Sequence, residues 1–431
     1  MIPAWPGVAG EADLTPFPSS RGAALPPAIS RMTKTVVAVL VLVTIAMAAV
    51  QAASAVGSDP ARPEIVDFHP FYLAGTTVWD GHFARSYDGS AMRALQRAFG
   101  GGKDVFMPFV YPPLFGLVMA PLALLPVGLA FLLFTGGTLA FYIAVMRRLA
   151  GPWFWPAVLA VGPVLLIDIR LGQNGFLTAG LAGLAADLAL KRRSAWAGVA
   201  AGALAFKPQV ATMLPVLFAF RRDWRALVAA AAAAVLLTGS AVLILGLDTV
   251  PAFLSSTSVV AEFMGAGTFP LHRMTSVYAS ALSLGLPARL SLAIHGIVAL
   301  AAVTAAAVTA HRLSRSSTAR DAADPRTAAG VMLMATAFVS PYFFDYDLTV
   351  FGAGLALALP GLALRIPPRG LVALLIVVGG IGALGLVWEV AITLGATATL
   401  SLGGPALLAC FGVMLRALGR QGTVRPAARA R

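Results

Sequence analysis

Long apolar segments, separated by short polar ones, run along most of the chain. Their length and the lack of strict apolar–polar alternation predict membrane-spanning α-helices rather than barrel strands. Apart from the segment discussed next, the predicted spans are 35–56, 110–124, 127–146, 153–169, 175–190, 226–246, 288–310, 328–340, 347–364, 370–388 and 392–415. Segment 195–220 is either one long helix or two half-helices broken at Lys207-Pro208, so about 12 or 13 spans are expected.

Composition supports a membrane protein. Of 431 residues, 59% are hydrophobic and only 11% are charged, whereas soluble domains carry about 25% charged residues. These fractions exclude a soluble globular protein, a disordered chain and a collagen-like fibre. The predicted fold is therefore an all-α polytopic membrane protein, with its transmembrane domain at 32–417.

The polar segments predict the domain limits. Residues 1–31 are rich in Pro, Ala and Gly. We predict that they form a disordered extension, or that translation starts at Met32 instead of Met1. Segment 57–107 lacks a basic bias and follows a span preceded by Lys34, so we predict it to be the first extracytoplasmic loop, with a short surface helix near 91–99. A signal peptide ending near Ala55 is the alternative, but the many later spans favour an uncleaved helix.

Positive charge is concentrated in short clusters between the apolar segments. The net charge is +13, and the clusters are Arg147-Arg148, 191–193, 221–225, 312–326, 365–369 and 416–431. This is the positive-inside pattern of membrane proteins and requires no nucleic acid. Residues 418–431 are expected to form a basic cytoplasmic tail near anionic membrane lipids. Two predicted spans between the first loop and Arg147-Arg148 would leave that pair outside, as an exception.

Metal and disulfide chemistry is not predicted. Cys410 is the only cysteine and lies in an apolar segment, which excludes a disulfide within the chain and a cysteine metal site. The first loop has no Asp-x-Asp or Glu-x-Asp pair. Asp345 and Asp347 have that spacing but are not interpreted as a metal site. We therefore expect no cofactor and no metal site, and a divalent cation requirement is doubtful.

Polar residues within or beside the apolar segments are the candidate functional residues, because polar groups at membrane depth are costly. They fall into five groups: 67–72, 170–174, 206–209, 272–273 and 340–347.

The order of these groups resembles the polyprenol-phosphate-mannose-dependent mannosyltransferases of glycosyltransferase family 87, which have the membrane-embedded GT-C fold. The resemblance runs collinearly over about residues 35–365. It rests on Asp67-Phe68, Phe71-Tyr72, Ala74-Gly75, Tyr87-Asp88, Tyr111-Pro112-Pro113, Pro121-Leu122-Ala123-Leu124-Leu125-Pro126, Gly172-Gln173-Asn174, the segment from Gly198 to Lys207-Pro208, Arg221-Arg222-Asp223-Trp224-Arg225 and Ser340-Pro341-Tyr342.

The resemblance implies an inverting hexosyltransferase, with mannose as the expected sugar and a polyprenyl-phosphate sugar as donor. The acceptor would be a lipid or glycan on the extracytoplasmic side of the bacterial inner membrane. An acid of the first external loop is the general base in such enzymes, and Asp67 occupies that position. A carboxylate within hydrogen-bond reach can take the proton of an attacking hydroxyl.

The other candidate site residues would bind substrate. Lys207, His272 and Arg273 can supply positive charge or donors to the leaving phosphate. Gln173 and Asn174 can both donate to and accept from sugar hydroxyls. The remaining predicted substrate-binding residues are His69, Tyr72, Gln209, Asp345 and Asp347.

Structural alternatives exist for several of these residues. Asp67 could be a solvated loop acid or the N-cap of a helix that begins at the following aromatic residues. Lys207 could extend its ammonium to the membrane interface. His272 and Arg273 could lie in a solvated loop, and Asp345 and Asp347 could cap a helix or form ion pairs.

Other classes of protein share some of these features. A multi-pass transporter or a lipid or polysaccharide flippase also buries charged residues, but the two halves of the chain show no internal repeat. A surface-polysaccharide ligase or polymerase usually has its largest loop later in the chain, and a scaffold would not explain the buried polar motifs. Convergence of Asp67, Gln173, Lys207 and Asp345 would favour the enzyme.

Overall fold

A computed structural model of the chain describes residues 66–102, 106–265, 269–314, 324–396 and 400–419. The α-helices are α1 (Phe68–Trp79), α2 (Gly89–Phe99), α3 (Pro113–Met119), α4 (Val127–Ala150), α5 (Phe154–Ala160), α6 (Gly162–Leu171), α7 (Gly175–Leu190), α8 (Ser194–Gly202), α9 (Pro208–Ala211), α10 (Met213–Phe220), α11 (Trp224–Leu245), α12 (Thr249–Gly265), α13 (Val277–Ser283), α14 (Ala288–Ser314), α15 (Asp324–Ala335), α16 (Leu348–Ala363), α17 (Pro368–Thr393) and α18 (Gly403–Gly419).

The helices confirm the predicted all-α polytopic membrane fold. Within the described residues, five helical segments are long and apolar enough to cross a membrane: Val127–Ala160, Trp224–Leu245, Ala288–Ser314, Asp345–Ala363 and Pro368–Thr393. Four shorter apolar helical segments accompany them: Gly175–Leu190, Ser194–Phe206, Pro208–Phe220 and Gly403–Gly419. The predicted extension 1–31, the predicted span 35–56 and residues 420–431 of the tail lie outside the described residues.

The basic clusters meet at one end of the bundle, which we call the basic end. Arg148 and Lys191 each contact the Asp187 carboxylate at 2.8 Å. Arg326 donates to the Leu149 carbonyl at 2.5 Å. These contacts bring the end of α4, the end of α7 and the start of α15 together.

Segment 110–124 does not form the predicted span. It contains the seven-residue helix α3 and a single 3₁₀ turn at Leu122–Leu124, because prolines at 112, 113, 121 and 126 restrict longer helix formation. Among the described residues, α4 is therefore the only helix long enough to cross the membrane between the first loop and Arg147-Arg148. The expectation that this pair is exceptional is wrong, since Arg148 lies at the basic end with the other clusters.

Segment 194–220 is broken at Lys207-Pro208, as the second sequence alternative predicted. Proline disfavours the helical conformation of the residue before it, and Lys207 has φ −143° and ψ 66°. Ser194 Oγ donates to Asp223 Oδ2 at 2.8 Å, so the segment begins and ends at the basic end. It is a re-entrant helical hairpin with Lys207 at its tip.

Small residues hold the first arm of this hairpin against α11. A Cβ on Gly198 would lie 2.4 Å from the Ala226 carbonyl oxygen, and one on Gly202 would lie 2.6 Å from that of Ala230. A step of four residues on α8 thus matches a step of four residues in the same direction on α11, so the two helices run parallel. Small residues four apart allow this close approach. Backbone contact between α8 and α11 therefore sets the depth of the hairpin tip.

The loop that the sequence predicts to be external packs on the opposite end of the bundle. The predicted surface helix is present as α2, with Met92 buried and Arg93 and Arg97 exposed. Asp88 Oδ1 accepts from the Ala91 N–H at 2.7 Å and caps this helix. Gln96 makes two hydrogen bonds with the backbone of Met107, which fix the loop's return.

Candidate functional site

The five polar groups of the sequence approach one another at the end opposite the basic end. A sharp turn between α6 and α7 carries one of them and has Gly172 in the left-handed region, with φ 62°. A Cβ there would lie 2.8 Å from the Cβ of Phe68. A Cβ on Gly175 would lie 2.6 Å from both the Tyr346 carbonyl oxygen and Asp168 Oδ2. Glycine at these two positions lets the turn contact the segments that carry Asp67 and Asp345.

Asp67 precedes α1, but its side chain makes no capping hydrogen bond. Its Oδ2 instead accepts a hydrogen bond from Gln173 Nε2 at 3.1 Å, across 106 residues of sequence. The same amide is oriented by the Asn174 N–H, which donates to Gln173 Oε1 at 3.1 Å. The half-buried carboxylate is therefore held in place while retaining acceptor capacity.

Lys207, at the tip of the hairpin, lies in a buried ionic cluster. Its Nζ is 2.5 Å from Asp347 Oδ1 and 2.9 Å from Asn174 Oδ1, and it lies 5.0 Å from the centre of the Tyr346 ring. The Lys207 and Asp347 side chains are each only 4% exposed. Lys207 consequently does not extend to the membrane interface, and its charge is neutralised within the protein.

Arg273 forms the second buried ion pair. Its Nε and Nη2 donate to the two oxygens of Asp345 at 3.1 and 3.0 Å, the bidentate geometry that is strongest between these groups. Burial disfavours the charge of Arg273, but Asp345 and, at longer range, Asp67 raise its pKa above the ordinary value. The two ion pairs and Asp67 thus belong to one electrostatic network.

A half-exposed rim continues this network. Glu389 on α17 has one oxygen 3.7 Å from Arg273 Nε and the other in direct contact with Arg170 Nη1 on α6. His272 is half-buried at the same rim. Burial and the neighbouring Arg273 lower the pKa of His272, so its imidazole is neutral at pH 7.

The contacts described for three predicted site residues, His69, Tyr72 and Gln209, lie outside this ionic network. His69 Nδ1 accepts from the Val66 N–H at 2.8 Å, and its ring packs 4.7 Å from that of Phe99. Burial lowers the pKa of His69. Tyr72 Oη donates to the Leu125 carbonyl at 2.8 Å. Gln209 is exposed beyond the hairpin tip.

Sequence reasoning did not select three residues that the structure brings to this region. Arg170 belongs to the polar group 170–174 but has no role assigned from sequence, and Asp168 and Glu389 lie outside the five polar groups. Asp168 is completely buried facing the first turn of α7. Asp168 and Arg170 lie two residues apart within an apolar segment, and this pair of charged residues is the sequence signal that could have identified both.

The part of the chain that the structure describes contains no group of three or more His, Cys, Asp or Glu side chains arranged to hold a metal ion.

A helical membrane bundle with a charged, partly accessible site at one end is expected of a membrane protein with a functional site, either an enzyme or a transporter. Residues 109–341 match the sequence profile of glycosyltransferase family 87. Since the match covers more than half of the chain, the chain belongs to this family and is a membrane glycosyltransferase with sugar donor and acceptor substrates. The transporter or flippase alternative has no comparable support.

The matched segment contains Gln173, Lys207 and Arg273, whereas Asp67 and Asp345 lie outside its limits. No curated protein and no solved structure shows significant similarity to the chain.

Proposed function

We propose that this glycosyltransferase transfers a hexose, with mannose as the expected sugar, from a polyprenyl-phosphate donor to a lipid or glycan hydroxyl, with inversion. The observation that carries the proposal is the Asp67 carboxylate: it caps no helix, is half-buried, and is joined through Gln173 to a cationic network. An oriented base beside positive charge suits displacement of a phosphate by a hydroxyl.

In the proposed reaction, the acceptor oxygen attacks the anomeric carbon and forms the new glycosidic bond. The bond from that carbon to the donor phosphate oxygen breaks, and the polyprenyl phosphate leaves with its electron pair. Asp67 takes the acceptor's proton. One carboxylate suffices, because the phosphate leaves already ionised and needs no general acid. Because the arginines near the site can supply the positive charge that the leaving phosphate needs, we propose no cofactor and no obligatory divalent cation.

The cations nearest the rim are the best candidates to bind the leaving phosphate. The Arg170 side chain is 33% exposed. The Arg273 side chain is buried, at 10% exposed, but gives only two of its five N–H groups to Asp345, and neutral His272 adds a donor beside them. Lys207 already has two oxygen partners and is buried. We therefore assign Lys207 and Asp347 to positioning Asn174, whose backbone N–H in turn orients Gln173 beside Asp67.

The distribution of charge supports the proposed side of the membrane. The basic clusters lie at the end opposite Asp67, and basic ends of membrane helices are retained in the cytoplasm. This supports an active site that faces the extracytoplasmic side of a bacterial inner membrane, where lipid-linked sugars and envelope acceptors would meet it.

The test is transfer of labelled mannose from polyprenyl phosphate to a lipid and glycan extract by the full chain in nanodiscs. Asp67→Asn keeps the shape but removes the base, so we expect the rate to fall about 10³-fold, within the usual range for a general base, with little change in KM for the donor.

Asp88→Asn is the matched control, because Asp88 is an acid of the same loop whose role is to cap α2, and asparagine caps helices equally well. It should retain wild-type activity. Transfer that survives Asp67→Asn would contradict the assignment of the base. A protein that neither binds polyprenyl-phosphate sugars nor transfers from them would contradict the donor class.

A further inference from the structure

Two turns of the same construction lie side by side at the basic end. The first joins α7 to α8 and the second joins α10 to α11; we call residues 190–194 and 220–224 the paired basic turns. Each closes with the same two backbone hydrogen bonds: Arg192 N–H to Ala189 O and Arg193 N–H to Leu188 O in the first, and Arg222 N–H to Ala219 O and Asp223 N–H to Phe218 O in the second.

Both turns put an arginine where glycine is usual. Arg192 has φ 56° and Arg222 has φ 54°, a left-handed conformation that disfavours residues with a Cβ and is normally occupied by glycine at the end of a helix. The chain therefore tolerates backbone strain at both positions and gains a guanidinium at each.

A pocket of about 380 Å³ opens beside the first turn. Its lining residues are Arg192, Arg193, Ser194, Ala195, Trp196 and Arg225. Three of the six are arginines and none is acidic. The nearest acid, Asp223, already accepts hydrogen bonds from Ser194 Oγ at 2.8 Å and from the Ala226 N–H at 3.2 Å. The pocket is thus complementary to an anion.

The surroundings of the pocket indicate a membrane interface. Trp196 and Trp224, at the starts of two parallel helices, are 67% and 63% exposed, and indole side chains concentrate at the level of lipid headgroups. Farther along α11, Val228 and Val235 are 70% and 71% exposed. An apolar face suited to acyl chains therefore continues directly from a cationic pocket.

We propose that this pocket binds the headgroup of an anionic phospholipid, with the phosphate between Arg193 and Arg225 and the acyl chains along α11. The charge and the adjoining apolar face select an anionic lipid over a zwitterionic one and over a soluble anion. This site is separate from the glycosyl-transfer site, and the proposal does not depend on that reaction.

The experiment compares the full chain in phosphatidylcholine nanodiscs with and without phosphatidylglycerol, and measures bound phosphatidylglycerol by native mass spectrometry. The variants are Arg193→Gln and Arg193→Gln/Arg225→Gln. The matched control is Arg369→Gln, an exposed arginine outside the pocket. Thermal midpoints in pure phosphatidylcholine verify that each variant folds.

We expect wild type and Arg369→Gln to retain phosphatidylglycerol equally. The affinity should fall about fivefold for one arginine and about 25-fold for two, from the usual contribution of a basic residue at an anionic surface. Equal retention by wild type and the double variant would overturn the proposal. So would displacement of the lipid by millimolar inorganic phosphate, because the pocket would then be a soluble-anion site.

Discussion

The two ends of the helical bundle treat charge in opposite ways. At the site end, Lys207 and Arg273 are buried, and each is paired with an aspartate from the segment before α16. At the basic end, Arg192 and Arg193 are exposed and line a pocket without an acidic residue. A buried charge requires a defined partner, so the two buried pairs fix the positions of side chains in the site. An exposed charge can instead interact with the membrane surface.

The largest effect should come from unpairing the buried charge. Lys207→Met leaves Asp347 buried without its cation, and removing one partner of a buried pair costs about 3–5 kcal/mol. We expect a large fall in the free energy of unfolding and loss of transfer activity. Unfolding by denaturant in detergent micelles measures the first quantity.

The double variant Lys207→Met/Asp347→Leu separates stability from function. It removes both charges, so most of the lost stability should return, while activity should stay absent because nothing orients Asn174. Recovery of activity in the double variant would show that the pair serves the fold alone.

A smaller effect on stability is expected from a substitution in α8, the helix that runs from the basic end toward the hairpin tip. Gly202→Ala introduces a Cβ 2.6 Å from the Ala230 carbonyl oxygen, and relieving such overpacking costs about 1–3 kcal/mol. The hairpin tip should shift with it and lower activity. Gly239→Ala on α11, where a Cβ meets no atom within 4 Å, is the control and should not reduce stability. Equal stability of the two variants would argue against backbone contact between the helices.

The smallest effect concerns His69 at the start of α1, which burial keeps neutral. Burial lowers the pKa of His69 below its ordinary value of about 6.5, so the unfolded chain binds a proton before the folded one does. The stabilisation is present above pH 6.5 and is lost as pH falls below it toward the folded pKa.

This loss should lower the thermal midpoint of the wild type by about 1–2 °C between pH 7 and pH 5.5. His69→Asn, whose amide oxygen can still accept from the Val66 N–H, should show a weaker dependence on pH. An identical slope in both proteins would assign the dependence to other groups.

The sequence predicts the membrane fold and the surface helix, and it offers the break at Lys207-Pro208 as one of two alternatives, because apolar length, amphipathic spacing and proline act locally. It does not predict that 110–124 contains only a short helix packed against α1, since a hydropathy window cannot distinguish a crossing from an apolar segment packed against protein. The error over Arg147-Arg148 follows from that miscounted crossing.

The polar motifs were recognisable from sequence, but their partners were not. Gln173 contacts Asp67 across 106 residues, and Arg170 contacts Glu389 across 219. Each motif alone is compatible with a helix cap or a solvated loop. Only the fold brings them together, and the roles of the individual side chains in transfer remain predictions for the experiments above.

The re-entrant hairpin has a consequence for the order in which the protein is assembled. Lys207 gains its anionic partner only with Asp347, which is made 140 residues later. At about 5–20 residues per second, this interval lasts about 7–28 s. The insertion machinery must therefore hold a nascent chain with an unneutralised ammonium until the second half of the protein emerges. A ribosome stalled before residue 347 should leave the hairpin accessible to protease, whereas one stalled after α16 should protect it.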